Sequence, residues 1–457
     1  MTKARSMTTT TVPDSTATSR PAPAGSRLGE LWRILPEESA MTPAGVLAIG
    51  GVPVDELAAA YGTPLHIYDE AGLRRQARRF VHGLNQRWPN SQVLFASKSL
   101  PAVAMYRLAA EEGLAIDIAG GGEMKLALAA GVDPAMIYFH GNAKTDAELI
   151  SALAAGVGTI IVDNEDELDR LDRLLTRPQS LLLRVIPGID ARTHHSQATG
   201  GNDSKFGLPL DQAANAIARI EAHPLMRFDG VHMHIGSQIL DTESFAQAVE
   251  RLGGLGTFHT YDVGGGLGVS YTYDEHAPSV EDYLDAITEA ARQHLPADAR
   301  LLIEPGRSMV ARSGVTLYTV TTVKHTGRVF VAVDGGLADQ LDIALTGQRY
   351  EAVLANRLDE AWTESARIVG RQCESGDLLI DGAEMPPAVV GDLVAMAVTG
   401  AYSYTMSNNY NGALKPAIVF VAEGNARLVV RRETYDDLLA THSPAIDTPT
   451  VPQKGLQ

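Results

Sequence analysis

From residue 63 to residue 307 the chain alternates short apolar runs with amphipathic stretches, and this alternation limits its fold more than any other feature. Runs such as Val93-Leu94-Phe95-Ala96, Ile160-Ile161-Val162, Leu181-Leu182-Leu183-Arg184-Val185 and Leu301-Leu302-Ile303 have the length and β-branched content of buried strands. The stretches 71–84, 102–112, 122–130, 165–175 and 279–293 read as helices. Strands that are apolar on both faces, separated by helices, specify βα units and a parallel sheet. About eight such units fit into 63–307, the length of a (β/α)8 barrel.

The texture changes near residue 308. Residues 315–323, 329–333, 391–398, 417–421 and 426–432 read as strands with turn punctuation, and one helix is expected near 354–364. The reading is therefore a barrel over 63–307 and a β-rich domain made of 41–62 and 308–443. Residues 1–26 and 444–457 are poor in large apolar side chains and are expected to be disordered tails. No short internal repeat is present.

Composition narrows the function. Fifty-five acidic residues against 38 basic ones give a formal charge of −17, which argues against a nucleic-acid binder. One cysteine, Cys373, excludes a disulfide framework within the chain and any multi-thiolate metal site. No apolar run reaches the roughly 18 residues of a membrane span, and the N-terminal stretch lacks the apolar region of a secretory signal. A cytoplasmic enzyme is the expectation. Any chemically important lysine is one of only eight.

Five constellations carry chemistry. Lys98 directly follows the run Val93-Leu94-Phe95-Ala96, where a barrel places catalytic groups; a partly desolvated amine there would have a lowered pKa and could bond a carbonyl carbon. Gly264-Gly265-Gly266-Leu267-Gly268 follows Tyr261-Asp262-Val263 and would let backbone N–H groups approach a phosphate. Glu304-Pro305-Gly306-Arg307 sets an acid and a guanidinium at one strand end. His232 and His234 are expected on one side of a strand, with no third ligand in sequence, so no metal site is expected. Cys373-Glu374-Ser375-Gly376-Asp377 holds either a small core hydrophobe or a loop thiol with an acid–base role. Together the set reads as a pyridoxal phosphate site: a lysine for the aldehyde, a glycine loop for the phosphate and an acid for the ring nitrogen.

With these motifs in hand, the chain resembles the diaminopimelate decarboxylases and their alanine-racemase-fold relatives, which include ornithine decarboxylase. The resemblance runs from about residue 47 to residue 439. It is carried by Gly62-Thr63-Pro64-Leu65, Phe95-Ala96-Ser97-Lys98, Ser204-Lys205-Phe206-Gly207, His234-Ile235-Gly236-Ser237-Gln238, the glycine loop, Glu304-Pro305-Gly306-Arg307, Asp334-Gly335-Gly336, the Cys373 motif, Gly400-Ala401-Tyr402 and Asn409-Tyr410-Asn411. The resemblance implies pyridoxal 5'-phosphate bonded to Lys98, with His234 on the ring and Glu304 at its nitrogen. It implies that Ser237, Gly264, Gly265, Gly266, Gly306 and Arg307 hold the phosphate end, and that Tyr402 and Arg307 also meet the substrate. It implies a homodimer in which Cys373, as proton donor, and Glu374, as reader of a distal amine, reach into the partner's site. Lys205 is a further loop candidate. An acid at the ring nitrogen makes a strong electron sink, which suits decarboxylation rather than racemisation.

Two departures stand out. The family's substrate-binding Arg and Tyr after Asp-Gly-Gly are here Asp342 and Thr346, and an acid cannot replace a guanidinium clamp on a carboxylate. Either the local alignment slips, or another arginine compensates, with Arg328 and Arg349 near in sequence, or the substrate differs. A basic amino acid, or one presented by a carrier protein in specialised metabolism, is the expectation; a meso-diaminopimelate decarboxylase of lysine biosynthesis, a racemase or epimerase, and a non-catalytic pyridoxal phosphate binder are the alternatives. The stretch from Ser237 to Gly264 is also short for the family, so one barrel helix is expected to be cut down.

Overall fold

The structure, a computed structural model, describes residues 25–189 and 204–442. The two expected tails lie outside the described residues, apart from Gly25 and Ser26. Eight parallel strands close into a barrel: β1 (Ser91–Ala96), β2 (Ala115–Ile118), β3 (Ile137–Phe139), β4 (Thr159–Val162), β5 (Gln179–Ile186), β6 (Met226–His232), β7 (Thr260–Asp262) and β8 (Arg300–Ile303). Consecutive strands pair in parallel, and β8 pairs back onto β1 through Leu301–Ser91 and Ile303–Val93. Leu94, Ala115, Tyr138, Ile161, Leu182 and Leu302 point inward and form one packed apolar layer. The barrel is filled at that level, and the carboxyl ends of the strands lie above it.

Local sequence explains the outer helices. Asp69 caps Glu70–Arg87 by accepting from Gly72 N at 2.9 Å. Thr145 with Glu148, and Ser279 with Asp282, form capping boxes that start Asp146–Ala155 and Val280–His294. The helix between β6 and β7, expected to be cut down, spans Glu243–Gly253 and buries Phe245, Ala248, Val249 and Leu252. Three turns thus survive the shorter connection.

The second sheet runs in the order Leu378–Met385, Glu364–Val369, Val329–Val333, Gly314–His325, Leu65–Asp69, Ala417–Ala422, Asn425–Val430. Two expectations change here. Leu65–Asp69 falls within the span read as barrel, yet it pairs antiparallel with Gly314–His325 and parallel with Ala417–Ala422. An apolar run reads alike in either sheet, so its partners cannot be told from the run itself. The helix expected near 354–364 is absent. Leu354, Ala355, Leu358 and Trp362 mimic helical spacing, but Ala355 N donates to Leu393 O at 2.7 Å, and Leu358 N to Gly45 O at 2.8 Å. Tertiary partners take the backbone groups a helix would have used.

Candidate active site

A cavity of about 510 Å³ opens at the carboxyl ends of the barrel strands. It is lined by Lys98, His234, Ser237, Gly266, Glu304, Gly306, Arg307, Asp342, Thr346 and Tyr402, residues named from the sequence alone, together with Lys205. Cys373 and Glu374 do not line it. They sit on an exposed loop of the second domain.

Lys98 lies in the short turn Ser97–Ser99 immediately after β1, with its side chain exposed to the cavity. Burial alone pushes its ammonium down, but the Tyr402 phenol and the Asp117 and Glu304 carboxylates outweigh burial and raise it above its ordinary value. The lowered pKa expected from desolvation is thus reversed by Tyr402 from the second domain and by acids that barrel strands bring in.

Glu304, at the end of β8, is buried between two imidazoles. His140 Nε2 lies 2.8 Å from one carboxylate oxygen and His232 Nε2 3.4 Å from the other. Burial favours the neutral acid, yet His140 and His232 hold the Glu304 carboxyl well below its usual range. Asp262 beside it moves the opposite way, raised well above the carboxylate range by burial and by Glu304. One of its oxygens accepts from Gly264 N at 2.9 Å. Asp117 completes the group, 3.6 Å from His140, pushed up to about 7 by burial against the pull of His140. The donor atoms of His140, His232, Asp262 and Glu304 lie within 4.8 Å of one another. This spacing would admit a cation; the positive charge beside Glu304 falls to His140, where Asp117 and Glu304 outweigh burial and raise the imidazole above its ordinary value, while burial lowers His232 to about 4.

β6 ends at His232, so His234 sits beyond it in the following loop rather than on the same strand face. His234 is held neutral, well below its ordinary pKa, by burial and then by the charges of Lys98 and Arg184. Its Nδ1 accepts the Gly265 N–H at 3.2 Å. That bond ties the imidazole to the glycine loop. Gly264 and Gly266 have φ of +68° and +121°, and a Cβ at Gly265 would stand 2.1 Å from the Glu304 carbonyl oxygen. Only glycine fits this close approach.

Arg307 is buried at the same end. Its Nε donates to Ser237 Oγ at 3.2 Å, one terminal nitrogen donates to Tyr271 Oη, and its guanidinium stacks 4.6 Å from the centroid of Tyr402. Tyr402 itself sits at φ +65° with its N–H bonded to Ser99 O, so the second domain pins this ring beside Lys98 in a left-handed conformation that non-glycine residues rarely adopt. Asp342 is 1% exposed; its Oδ2 accepts from Tyr350 Oη at 2.9 Å. Thr346 Oγ1 donates back to Asp342 O at 2.8 Å. The arginines considered as compensation lie elsewhere: Arg349 pairs with Asp274 and Arg328 with Asp381, both exposed. The cavity's own cations are Lys98, Arg184, Lys205 and Arg307.

Sequence reasoning missed His140, Asp117, Asp262, Arg184 and Tyr271. Each of the first four sits within two residues of the carboxyl end of a barrel strand, and that position was the available signal.

The cavity residues fit pyridoxal 5'-phosphate. An amine lines the cavity, a glycine cradle excludes any Cβ, and a buried ionised acid, Glu304, would be able to pair with a protonated ring nitrogen. Residues 70–311 match the family model described as pyridoxal-dependent decarboxylase, pyridoxal binding domain. The diaminopimelate decarboxylase of Bacillus subtilis (strain 168) is 42% identical over 425 residues, covering 88% of this chain and 96% of that protein. The diaminopimelate decarboxylase of Actinosynnema pretiosum subsp. auranticum is 42% identical over 409 residues, covering 86% and 92%. A crystal structure of the M. jannaschii diaminopimelate decarboxylase, in complex with L-lysine, superposes with a TM-score of 0.83 at 29% identity, covering 89% of this chain and 98% of that one. The chain therefore belongs to the diaminopimelate decarboxylase family, and it is a pyridoxal-phosphate-dependent decarboxylase.

Proposed function

We propose that the chain removes the α-carboxylate of meso-diaminopimelate. The supporting observation is that Lys98, Glu304 and Arg307 converge on one cavity, in a chain 42% identical to named diaminopimelate decarboxylases along nearly its whole length. Lys98 would hold the cofactor's aldehyde end, and Ser237, Gly264, Gly265, Gly266, Gly306 and Arg307 its phosphate. Bound there, pyridoxal phosphate supplies an electron sink for the pair left at Cα when the Cα–carboxylate bond breaks and CO2 departs. Glu304, kept ionised by His140 and His232, would hold the proton on the ring nitrogen. Neutral His234 would lie against the ring. Cys373 would then deliver a proton to Cα and recover one from water.

Cys373 and Glu374 lie outside their own chain's cavity, which supports a homodimer in which each copy lends them to the other. Their exposure and the bond from Tyr410 Oη to the Glu374 carboxylate agree with such a role.

Asp342 favours a second reading. An acid in the cavity wall suits a substrate with a distal amine and no distal carboxylate, such as lysine or ornithine. Against it, the Asp342 carboxylate is buried and engaged by Tyr350. The test is CO2 release by purified protein with pyridoxal phosphate and, separately, meso-diaminopimelate, lysine, ornithine, arginine and glutamate. Turnover of diaminopimelate above the others supports the first reading. Turnover of lysine or ornithine without diaminopimelate supports the second, and chiral inversion without CO2 would sink both.

A further inference from the structure

Three of the motifs named above have no role in the cavity: Asp334-Gly335-Gly336, the Asp377 end of the Cys373 motif, and Asn409-Tyr410-Asn411. The structure brings all three to one place. Asp377 is 3% exposed, and its two carboxylate oxygens accept from different segments, Leu337 N at 2.8 Å and Gln372 N at 2.7 Å. Arg371 N donates to Gly335 O at 2.8 Å alongside. The neighbouring glycines make room for this carboxylate. A Cβ at Gly336 would lie 2.6 Å from Asp377 oxygens and 2.2 Å from Gln372 Oε1, and a Cβ at Gly370 would lie 2.2 Å from Asp377 Oδ2.

The third segment closes the arrangement. Asn408 N donates to Ala338 O at 2.9 Å. Asn411, at φ +54°, accepts the Cys373 N–H on its Oδ1 at 2.7 Å, and Tyr410 Oη donates to the Glu374 carboxylate. Thus the backbone at Cys373 is held on one side by Asn411 and, one residue earlier, by Asp377. The other oxygen of Asp377 holds Leu337, just ahead of the helix Leu341–Thr346 that carries Asp342 and Thr346 in the cavity wall.

We infer that Asp377 and Asn411 are positioning residues that fix Cys373 and Glu374 relative to the Asp342 wall of the same chain. Neither touches the cavity. The inference rests on the reading that Cys373 and Glu374 act in a neighbouring copy's site. If so, one lattice of backbone hydrogen bonds sets both the wall of a chain's own cavity and the groups it lends.

Steady-state decarboxylation by the holoenzyme tests this with five variants. Asn411→Gly keeps the left-handed backbone without strain and deletes only the acceptor; it should lower kcat about tenfold to a hundredfold, the usual cost of a misplaced reacting group. Asn411→Asp restores an acceptor and should recover most of the rate. Asp377→Asn turns one acceptor into a donor facing a backbone N–H, and should lower kcat and raise KM together, because it loosens the wall as well as the loop. Visible absorbance of the Lys98-bound cofactor should stay unchanged in all three. Wild-type kcat in Asn411→Gly would overturn the inference, as would equal losses in Asn411→Gly and Asn411→Asp. Cys373→Ser and Glu374→Gln separate the two ideas. If both retain the full rate, the underlying reading fails. If either is slow while Asn411→Gly and Asp377→Asn are not, only the positioning role fails.

Discussion

His140 Nε2 stands 2.8 Å from Oε1 of Glu304, and this contact, with His232 on the other oxygen, makes a buried carboxylate keep its charge. An acid so enclosed would otherwise be neutral. Replacing Glu304 by Gln preserves shape and one acceptor but removes the charge that would hold a proton on the ring nitrogen. Glu304→Gln should lower kcat by about a hundredfold or more, the scale of losing one preorganised electrostatic partner. The Lys98-bound cofactor should remain visible by absorbance. A variant that turns over at the wild-type rate would remove Glu304 from the chemistry.

Lys98 is predicted to be the covalent anchor. Lys98→Ala should abolish decarboxylation and the visible band of bound cofactor, which is checked by absorbance after gel filtration. Neither Lys205 nor Lys144 should substitute. Lys205 also lines the cavity, but its Nζ stands 5.0 Å from the centroid of the Phe206 ring. Lys144 is locked 2.7 Å from Glu167 and bonds Gly141 O and Ile161 O. If Lys98→Ala retains the band, another amine carries the cofactor.

How far the site was legible depends on whether a residue announces itself locally. Lys98, the glycine loop and Glu304 follow directly on apolar strands, so strand ends could be counted and the cavity assembled on paper. His140 and Asp262 could not be chosen this way, because nothing in Phe139-His140-Gly141 or Tyr261-Asp262-Val263 says that both face Glu304. That meeting is set by barrel closure between β8 and β1, a contact between residues some 200 apart in sequence. Leu65–Asp69 was misplaced for the same reason, since its sheet partners lie near residues 315 and 418. The Lys98 pKa is a related case: desolvation is readable from an apolar strand, whereas Asp117 comes from the next one.

The cradle beneath the phosphate end is predicted to reject even one methyl group. Gly265→Ala would place Cβ 2.1 Å from the Glu304 carbonyl oxygen, a backbone atom that cannot swing aside. The loop must shift, displacing both the Glu304 backbone and the N–H bonded to His234. The variant should lose about 1–3 kcal/mol of stability, as overpacked sites do, and bind pyridoxal phosphate far more weakly. Urea unfolding and cofactor titration check the two effects separately, and wild-type behaviour in both would show that the loop has slack.

Asp342 and Tyr350 separate the two substrate readings. Asp342→Asn keeps an acceptor for Tyr350 Oη and removes the charge that faces Arg307. If the substrate brings a distal carboxylate, KM for diaminopimelate should fall, by about threefold to tenfold for one like-charge contact in a partly screened site. If instead Asp342 reads an amine, KM for lysine or ornithine should rise by a similar factor. Tyr350→Phe, which frees the carboxylate without neutralising it, should move KM the opposite way to Asp342→Asn. An unchanged KM for every substrate in both variants would make Asp342 part of the wall and nothing more.

Asp339 is predicted to make stability depend on pH. It is buried, with Oδ2 accepting from Gly336 N at 3.0 Å, and burial pushes its carboxyl from 3.8 up to about 7. Between those two values the folded chain holds a proton that the unfolded chain has released. The stability this proton confers is complete below pH 3.8 and is lost as pH rises through about 7. The loss is at most about 4 kcal/mol if the whole shift is realised. Asp339→Asn imitates the protonated form, keeps an acceptor for Gly336 and carries no proton to lose. Its stability relative to wild type should therefore grow between about pH 5 and about pH 8 and then level off. Asp117 is also raised to about 7, so wild-type stability alone would mix the two; the difference between wild type and variant isolates Asp339. Urea midpoints at the two pH values give that difference directly, and a gap that stays constant would mean that Asp339 is ionised in the folded chain throughout.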